Sequence, residues 1–172
     1  MPEKLKESIR NIPNFPKKGI LFRDITTLLK DKAAFADAVN TLAARNKGKG
    51  VKKVVGMESR GFILGAPIAY LLGAGFVPVR KKGKLPADTY SAKYELEYGT
   101  DHLEIHKDAI EKGEKVLIVD DLLATGGTAV ATINLMKNFD AEIVGLDFLI
   151  ELTELAGREK LKGYEVFSLV QF

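Results

Sequence analysis

The fold of this chain is decided by residues 116–128, which read VLIVDDLLATGGT. Four apolar residues, Val116 to Val119, are followed by two carboxylates and then by a small, hydroxyl-rich turn. A continuous run of Val, Leu and Ile is typical of a strand that is buried on both faces in the middle of a parallel sheet. In such sheets ligands bind in the crevice beyond the carboxyl ends of the strands. The sequence therefore predicts a ligand site directly after Val119.

The turn at the end of this stretch has the composition of a phosphate site. A glycine-rich turn that leads into a helix offers backbone N–H groups and a positive dipole end to an anion. We expect the phosphate to be bound by Ala124, Thr125, Gly126, Gly127 and Thr128. Asp120 and Asp121 cannot bind the same anion, so they should face neutral hydroxyls, a metal or a developing positive charge. The alternative is an ordinary glycine turn of a Rossmann-like or response-regulator strand, because a lone glycine-rich turn is a weak motif.

Length and composition indicate one globular domain over residues 1–172. Of the 172 residues, 46% are hydrophobic and 28% are charged, which suits a single hydrophobic core. The formal net charge of +3 is too small to indicate nucleic-acid binding by itself. With no cysteine, the chain has no disulfide, thiol nucleophile or cysteine-based zinc site. A polar start and the lack of a long apolar run predict no signal peptide, no membrane partner and a cytoplasmic location.

Hydrophobic periodicity predicts alternating strands and helices, as in α/β folds. Helices are expected over residues 3–11, 31–45, 61–72 and 128–138, and strands over 51–57, 76–79, 103–105, 116–119, 143–150 and 166–170. The helix over 61–72 is apolar on nearly all sides and should be deeply buried. Residues 14–24 should form an irregular loop, and residues 81–99 should form a long excursion or mobile flap instead of a core element.

Residues 116–128 resemble the phosphoribosyl pyrophosphate (PRPP) signature of the type I phosphoribosyltransferases. The resemblance implies a Rossmann-like, mostly parallel twisted sheet flanked by helices, with an N-terminal hood (about 1–30) and a flexible catalytic loop (about 81–101). The resemblance also implies that Asp120 and Asp121 are catalytic residues, which would hold the ribose hydroxyls. The implied cofactor is Mg²⁺, bound mainly by pyrophosphate and ribose oxygens and by waters. No direct protein cage is expected, so the two aspartates would contact the metal through ribose or water.

Two further segments border the predicted crevice and carry groups that suit a pyrophosphate. The first is the loop of residues 58–61, ESRG, where main-chain donors and a guanidinium can grip phosphate oxygens. In similar proteins this loop often contains a non-proline cis peptide. The second is the basic run 80–84, RKKGK, which in similar proteins reaches the pyrophosphate of a neighbouring subunit. The pyrophosphate residues implied are Glu58, Ser59, Arg60, Arg80, Lys81 and Lys84. A solvated surface is the alternative for both segments.

An aromatic segment near the start of the chain, residues 15–25 (FPKKGILFRDI), resembles the purine-binding segment of adenine phosphoribosyltransferases. The resemblance implies that Phe22 stacks on the base and that the backbones of Leu21 and Arg23 read the edge of adenine. Leu152 would close the other face of the ring. A main-chain carbonyl that accepts from the exocyclic amino group would favour adenine over a 6-oxopurine. Without the resemblance, an aromatic residue on a loop is more often part of the core.

Residues 95–99, ELEYG, resemble the flexible catalytic loop of the same enzymes. A loop that closes over the site keeps water away from the cationic ribosyl group that forms when pyrophosphate departs. Glu97 would stabilise this cation or handle the purine proton, and Tyr98 would hydrogen-bond the leaving group. Without the resemblance both are surface residues. His102 and His106 have no visible third metal ligand, so we expect them to be structural.

The resemblance extends over nearly the whole chain and implies a homodimeric enzyme of purine salvage. It would transfer the 5-phosphoribosyl group from PRPP to adenine, giving AMP and pyrophosphate. Three alternatives remain open. A transferase for a 6-oxopurine or orotate should lack the Phe22 segment. A PRPP-sensing regulator would not need residues 97 and 98. A nucleic-acid-binding protein is suggested only by the basic run, and we expect no nucleic-acid partner.

Overall fold

The computed structural model of the protein describes residues 2–95 and 99–172. The chain begins with a small unit that we call the hood. Its elements are helix α1 (Pro2–Glu7), the antiparallel strands β1 (Arg10–Pro13) and β2 (Leu21–Asp24), and helix α2 (Thr26–Lys30).

Two predictions were wrong in the hood. The helix expected over residues 3–11 ends at Glu7, and the loop expected over 14–24 contains strand β2. The apolar residues whose spacing suggested one helix belong to two different elements. Ile9 is buried next to α1, whereas Ile12 in β1 pairs with Phe22 in β2. Each of these short strands satisfies the backbone groups of the other, which a reading of either segment alone could not show.

The main sheet is mostly parallel, as expected. Among the described residues its strand order is β5-β6-β4-β3-β7-β8-β9. The pairs β4-β3, β3-β7, β7-β8 and β8-β9 are parallel, while β6 and β5 add an antiparallel edge. The bounds are β3 (Lys53–Met57), β4 (Gly75–Lys81), β5 (Thr89–Glu95), β6 (Thr100–His106), β7 (Lys115–Leu123), β8 (Glu142–Glu151) and β9 (Val166–Gln171).

Helices cover both faces of this sheet, and the sheet separates the core into two clusters. Helices α3 (Lys32–Asn46) and α4 (Arg60–Leu72) lie on one face with the hood, and α5 (Gly127–Met136) lies on the other. Short 3₁₀ turns occupy Lys137–Phe139, Thr153–Leu155 and Gly157–Leu161. The α/β architecture expected from the sequence is thereby confirmed. No helix in the described part of the chain is long and apolar enough to span a membrane.

Three further expectations differ from the structure. Residues 81–99 contain strand β5, whose polar sequence was misleading because an edge strand packs only one face against the core. Helix α4 is not deeply buried all round: Tyr70 is 84% exposed and Leu71 is 50% exposed, because only one side of α4 faces the sheet. Strand β7 continues to Leu123, so the two aspartates lie within the strand and not beyond it.

Candidate active site

A cleft of about 810 Å³ opens where β3 and β7 end, at the edge of the sheet that the sequence indicated. It brings together most of the residues predicted for phosphate, ribose and pyrophosphate. These are Glu58, Ser59, Arg60, Lys81, Lys84, Asp120, Asp121, Ala124, Thr125, Gly126, Gly127 and Thr128. Leu21, Phe22, Arg23 and Leu152, predicted for the base, do not line this cleft. The cleft is thus the phosphate-and-sugar part of the predicted site.

The two aspartates form a buried, interacting pair beside one guanidinium. The backbone N–H of Asp121 donates to Oδ1 of Asp120 at 2.9 Å, and Nε of Arg60 lies 2.8 Å from Oδ2 of Asp121. Burial raises the pKa of Asp120, and the neighbouring Asp121 charge raises it further. Burial also raises the pKa of Asp121, although Arg60 opposes this. Such a pair favours hydroxyl groups or a cation as its ligand.

Gly61 brings helix α4 into direct contact with strand β7. A Cβ at this position would lie 2.9 Å from Oδ1 of Asp120 and 3.0 Å from the carbonyl oxygen of Val119. No side chain fits at those distances without a shift of the backbone or the carboxylate. The glycine therefore sets how closely residues 58–60 approach the aspartate pair.

The loop after β3 holds the basic run in place. The Glu58-Ser59 peptide bond is cis, as the resemblance implied. The Glu58 carboxylate accepts from the Lys81 backbone N–H at 2.9 Å, from Nζ of Lys84 at 3.0 Å and from Nε of Arg80 at 3.3 Å. Burial acts to raise the pKa of Glu58, but these hydrogen bonds and charges outweigh it and lower the pKa. Glu58 is an anion facing cations, so its position suits holding them at the cleft.

The phosphate turn lies against a segment that the sequence analysis did not assign. Gly126, with φ of 81°, precedes α5, and a Cβ on it would lie 2.7 Å from the carbonyl oxygen of Gly157. Lys160, from the same 3₁₀ turn, also lines the cleft, as do Tyr94 and Phe148. The one sequence signal available was the run GREK at 157–160 in an otherwise ordinary tail.

Three of the four predicted base residues, Leu21, Phe22 and Arg23, lie in strand β2 of the hood, and Phe22 is next to Arg60. The Phe15 ring meets the Phe22 ring edge-on, with centroids 5.1 Å apart and planes at 75°. The guanidinium carbon of Arg60 is 5.3 Å from the Phe22 centroid, so Arg60 lies between Phe22 and the aspartate pair. Arg23 donates to Oδ1 of Asn11 at 2.5 Å.

Leu152 follows strand β8 and is half-buried against the core on the hood side of the sheet. Its backbone N–H donates to the carbonyl oxygen of Leu123 at 2.9 Å, which ties it to the end of β7.

Glu97 and Tyr98 lie outside the described residues, so their predicted catalytic roles stay predictions. In strand β5, Tyr94 donates to Oδ2 of Asp101 at 3.2 Å, and burial followed by the Asp101 charge raises the pKa of Tyr94 to about 12. His106 accepts from the Ala87 backbone N–H at 3.3 Å, a structural contact. The described residues hold no group of three or more His, Asp or Glu side chains arranged for a metal.

Comparison with known proteins decides the family. The phosphoribosyl transferase domain model matches residues 26–171. An adenine phosphoribosyltransferase of Clostridium kluyveri is 61% identical over 168 residues, which is 98% of this chain and 98% of that protein. The chain belongs to the adenine phosphoribosyltransferase family.

Solved structures of adenine phosphoribosyltransferases share the whole fold. The Thermoanaerobacter pseudethanolicus protein is 55% identical, with a TM-score of 0.96 and 100% of both chains covered. The Saccharomyces cerevisiae protein, solved in complex with adenine and D-2,5-dideoxy-2,5-imino-altritol 1,6-bisphosphate, is 41% identical, with a TM-score of 0.93. That match covers 98% of this chain and 97% of the yeast chain. The family and the fold class predicted from the sequence are both confirmed.

Proposed function

We propose that this chain transfers the 5-phosphoribosyl group of PRPP to adenine, giving AMP and pyrophosphate, as a step of purine salvage. One observation carries the proposal: the buried Asp120 and Asp121 pair lies in one cleft with a phosphate turn and a group of cations. PRPP has the matching order of groups, with a phosphate at one end, sugar hydroxyls in the middle and pyrophosphate at the other end. The yeast relative, solved with adenine, supports the choice of base.

In this proposal the cleft fixes PRPP at three points. The 5-phosphate binds the turn from Ala124 to Thr128, at the start of α5, where backbone donors and the helix dipole favour an anion. The 2- and 3-hydroxyls donate to Asp120 and Asp121. The pyrophosphate binds the main chain at Ser59 and the cations of the loop after β3 and of the basic run. Held in this way, the anomeric carbon faces the hood.

The reaction is a displacement at the anomeric carbon with inversion. The bond from this carbon to pyrophosphate breaks as the bond to the adenine nitrogen forms, and positive charge develops on the sugar. The Asp120 and Asp121 carboxylates stabilise this charge from the hydroxyl side, and Arg60 stabilises the departing pyrophosphate. Glu97 handles the purine proton or stabilises the sugar cation, and Tyr98 hydrogen-bonds the leaving group. Both assignments rest on the family resemblance.

Mg²⁺ is part of the proposal, and the residues present fit it. Asp120 and Asp121 are oxygen donors at the ribose position, and a pair whose pKa values are raised by burial gains from a nearby cation. When bound, the metal neutralises pyrophosphate charge. Because the described residues offer no larger carboxylate group, most of its ligands would be substrate oxygens and waters.

Adenine selectivity is assigned to the hood. Phe22 stacks on the base, Leu152 covers the other face, and the backbones of Leu21 and Arg23 meet its edge. A carbonyl acceptor there pairs with the amino group of adenine, whereas hypoxanthine or guanine presents an oxygen acceptor at the same position. The edge-on contact of Phe15 fixes the orientation of the Phe22 ring.

The homodimer also belongs to the proposal. Helix α4 exposes Ile63, Tyr70 and Leu71, at 43%, 84% and 50% of their surface, on the side away from the sheet. Large apolar side chains grouped on one helix face indicate an interaction surface. A second copy of the chain is the occupant that the family resemblance implies, with the basic run reaching towards the neighbouring site. A cytoplasmic location stays the prediction of the sequence.

One experiment tests the function directly. The protein is mixed with PRPP and Mg²⁺, and adenine, hypoxanthine, guanine and orotate are offered in separate reactions, with nucleotide measured by chromatography. We expect AMP from adenine and little or no nucleotide from the other three. Nucleotide from orotate or a 6-oxopurine alone would show that the chain acts on a base other than adenine. PRPP binding without any product would indicate a regulator.

A further inference from the structure

The 3₁₀ turn Gly157–Leu161 lies directly on the phosphate turn. A Cβ on Gly157 would fall 2.1 Å from the carbonyl oxygen of Ala124 and 2.9 Å from the Gly126 nitrogen. A Cβ on Gly126 would in turn fall 2.7 Å from the carbonyl oxygen of Gly157. Two glycines in mutual contact bring two backbones closer than side chains would permit. The turn is therefore a second wall of the phosphate site.

Arg158 fixes this wall to the sheet. Its Nε donates to Oε1 of Glu151 at 2.9 Å and its Nη2 to Oε2 at 2.5 Å. Its Nη1 donates to the carbonyl oxygen of Val166 at 2.7 Å, and Ser168 Oγ lies 3.2 Å from Nη2. Glu151 is 5% exposed, and the two-point contact fixes the orientation of the Arg158 guanidinium. Residues 157–160 thus have a defined position relative to β8 and β9.

The phosphate turn itself contains no charged side chain. Residues 124–128 are Ala, Thr, Gly, Gly and Thr, whereas a phosphate monoester carries close to two negative charges at pH 7. The cations assigned to pyrophosphate have acidic neighbours at the other end of the cleft: Arg60 with Asp121, and Lys84 with Glu58. Among the described residues, the 5-phosphate end therefore lacks an assigned positive charge.

Lys160 can supply a positive charge at the 5-phosphate end of the cleft. It lines the cleft from the second wall and is exposed, and it takes part in none of the ion pairs found among the described residues. Lys162, two residues later, instead pairs with Glu159 at 2.6 Å and does not line the cleft. We propose that Lys160 is a binding residue for the 5-phosphate of PRPP and AMP, and that Arg158 positions the wall that carries it. The proposal rests on the proposed function of the cleft.

The test compares Lys160→Ala, Lys160→Arg and the matched control Lys162→Ala. We measure the Kd of AMP by calorimetry and the KM of PRPP and of adenine by steady-state kinetics. Lys160→Ala should weaken AMP binding and raise the KM of PRPP by about tenfold, the size expected for one charge-assisted hydrogen bond at a partly exposed site. The KM of adenine at saturating PRPP should not change. Lys160→Arg should keep most of the affinity, and Lys162→Ala should match the wild type.

Arg158→Lys gives a second readout, because lysine keeps the charge but cannot make the two-point contact with Glu151. It should raise the KM of PRPP more than that of adenine. Wild-type AMP affinity in Lys160→Ala would overturn the proposal, as would an equal loss for AMP and adenine. These outcomes are distinct from failure of the proposed function, in which the wild type itself forms no AMP.

Discussion

The end of strand β7 and the N-terminal hood contribute to one proposed site in different ways. At β7 the aspartate pair and the phosphate turn follow one another over residues 120–128, so the residues proposed to bind the ribose and the 5-phosphate are adjacent in the chain. The hood is built from contacts between distant residues, such as Arg10 with Asp24 and Arg23 with Phe172. The residues proposed to bind PRPP at β7 therefore stand together in the sequence, although Gly61 and Gly157 complete their surroundings from other parts of the chain. The part of the site that selects the base depends on tertiary packing.

The largest effect should come from replacing Asp120 with Asn. This change keeps the shape of the side chain but replaces the carboxyl group proposed to accept from a ribose hydroxyl with an amide, so kcat should fall by about 100-fold or more. Stability should change little, because burial already disfavours the ionised form of Asp120 and raises its pKa. Steady-state kinetics and thermal unfolding measure the two effects. A large loss of stability with intact kcat would show that the strand end is structural.

A second substitution that tests the end of strand β7 is Gly61→Ala. The added methyl would lie 2.9 Å from the Asp120 carboxylate, so we expect overpacking that costs about 1–3 kcal/mol together with a lower kcat. Gly145→Ala in β8 is the control, since its Cβ would meet nothing closer than 3.5 Å. Denaturant unfolding and kinetics of both variants check this. Equal behaviour of the two variants would contradict a special role for the close approach.

In the hood, Asp24→Asn should lower the free energy of unfolding by about 1–2 kcal/mol, as for loss of a charged hydrogen bond. The Arg10 hydrogen bond, above all, lowers the pKa of Asp24 from its ordinary 3.8 to about 2. A lowered pKa gives stability that is present above pH 3.8 and is lost as the pH falls through about 2.

Urea unfolding of wild type and Asp24→Asn between these pH values measures the contribution of Asp24. The difference between the two proteins should shrink as the pH falls. A difference that stays constant with pH would exclude the ion pair as its cause.

The smallest effect should follow from Phe15→Ala. The edge-on pair with Phe22 is worth about 0.5–1.5 kcal/mol in comparable aromatic contacts, so the KM of adenine should rise a few-fold. The KM of PRPP should stay the same, because Phe15 does not line the phosphate cleft. Leu155→Ala, an exposed apolar residue outside the hood, serves as the control. A parallel rise in both KM values would mean that the hood and the phosphate cleft are not separable.

Much of this molecule was predictable from sequence for a physical reason. Three predicted features are patterns of adjacent residues: the apolar run of β7, the glycine turn and the start of α3. At the start of α3, the Asp31 side chain accepts from the N–H groups of Ala33 and Ala34. Strand β5 was missed because its edge position tolerates polar side chains. The sequence did not predict the 3₁₀ turn that carries Lys160 as part of the site. The ion pair between Arg158 and Glu151 holds this turn in position, and that contact can be seen only in the folded chain.

The contact between Arg23 and Phe172 has a consequence for protein synthesis. The guanidinium carbon of Arg23 lies 3.8 Å from the centre of the Phe172 ring, and Nζ of Lys6 donates to the carbonyl oxygen of Gln171 at 2.6 Å. Chains leave the ribosome from their N-terminal end at about 5–20 residues per second. At this rate the chain from Arg23 to Phe172 takes roughly 7–30 seconds to make, so the hood segment is synthesised that long before its partner residues. The hood, which carries residues proposed to bind adenine, is therefore among the last parts to reach its final form.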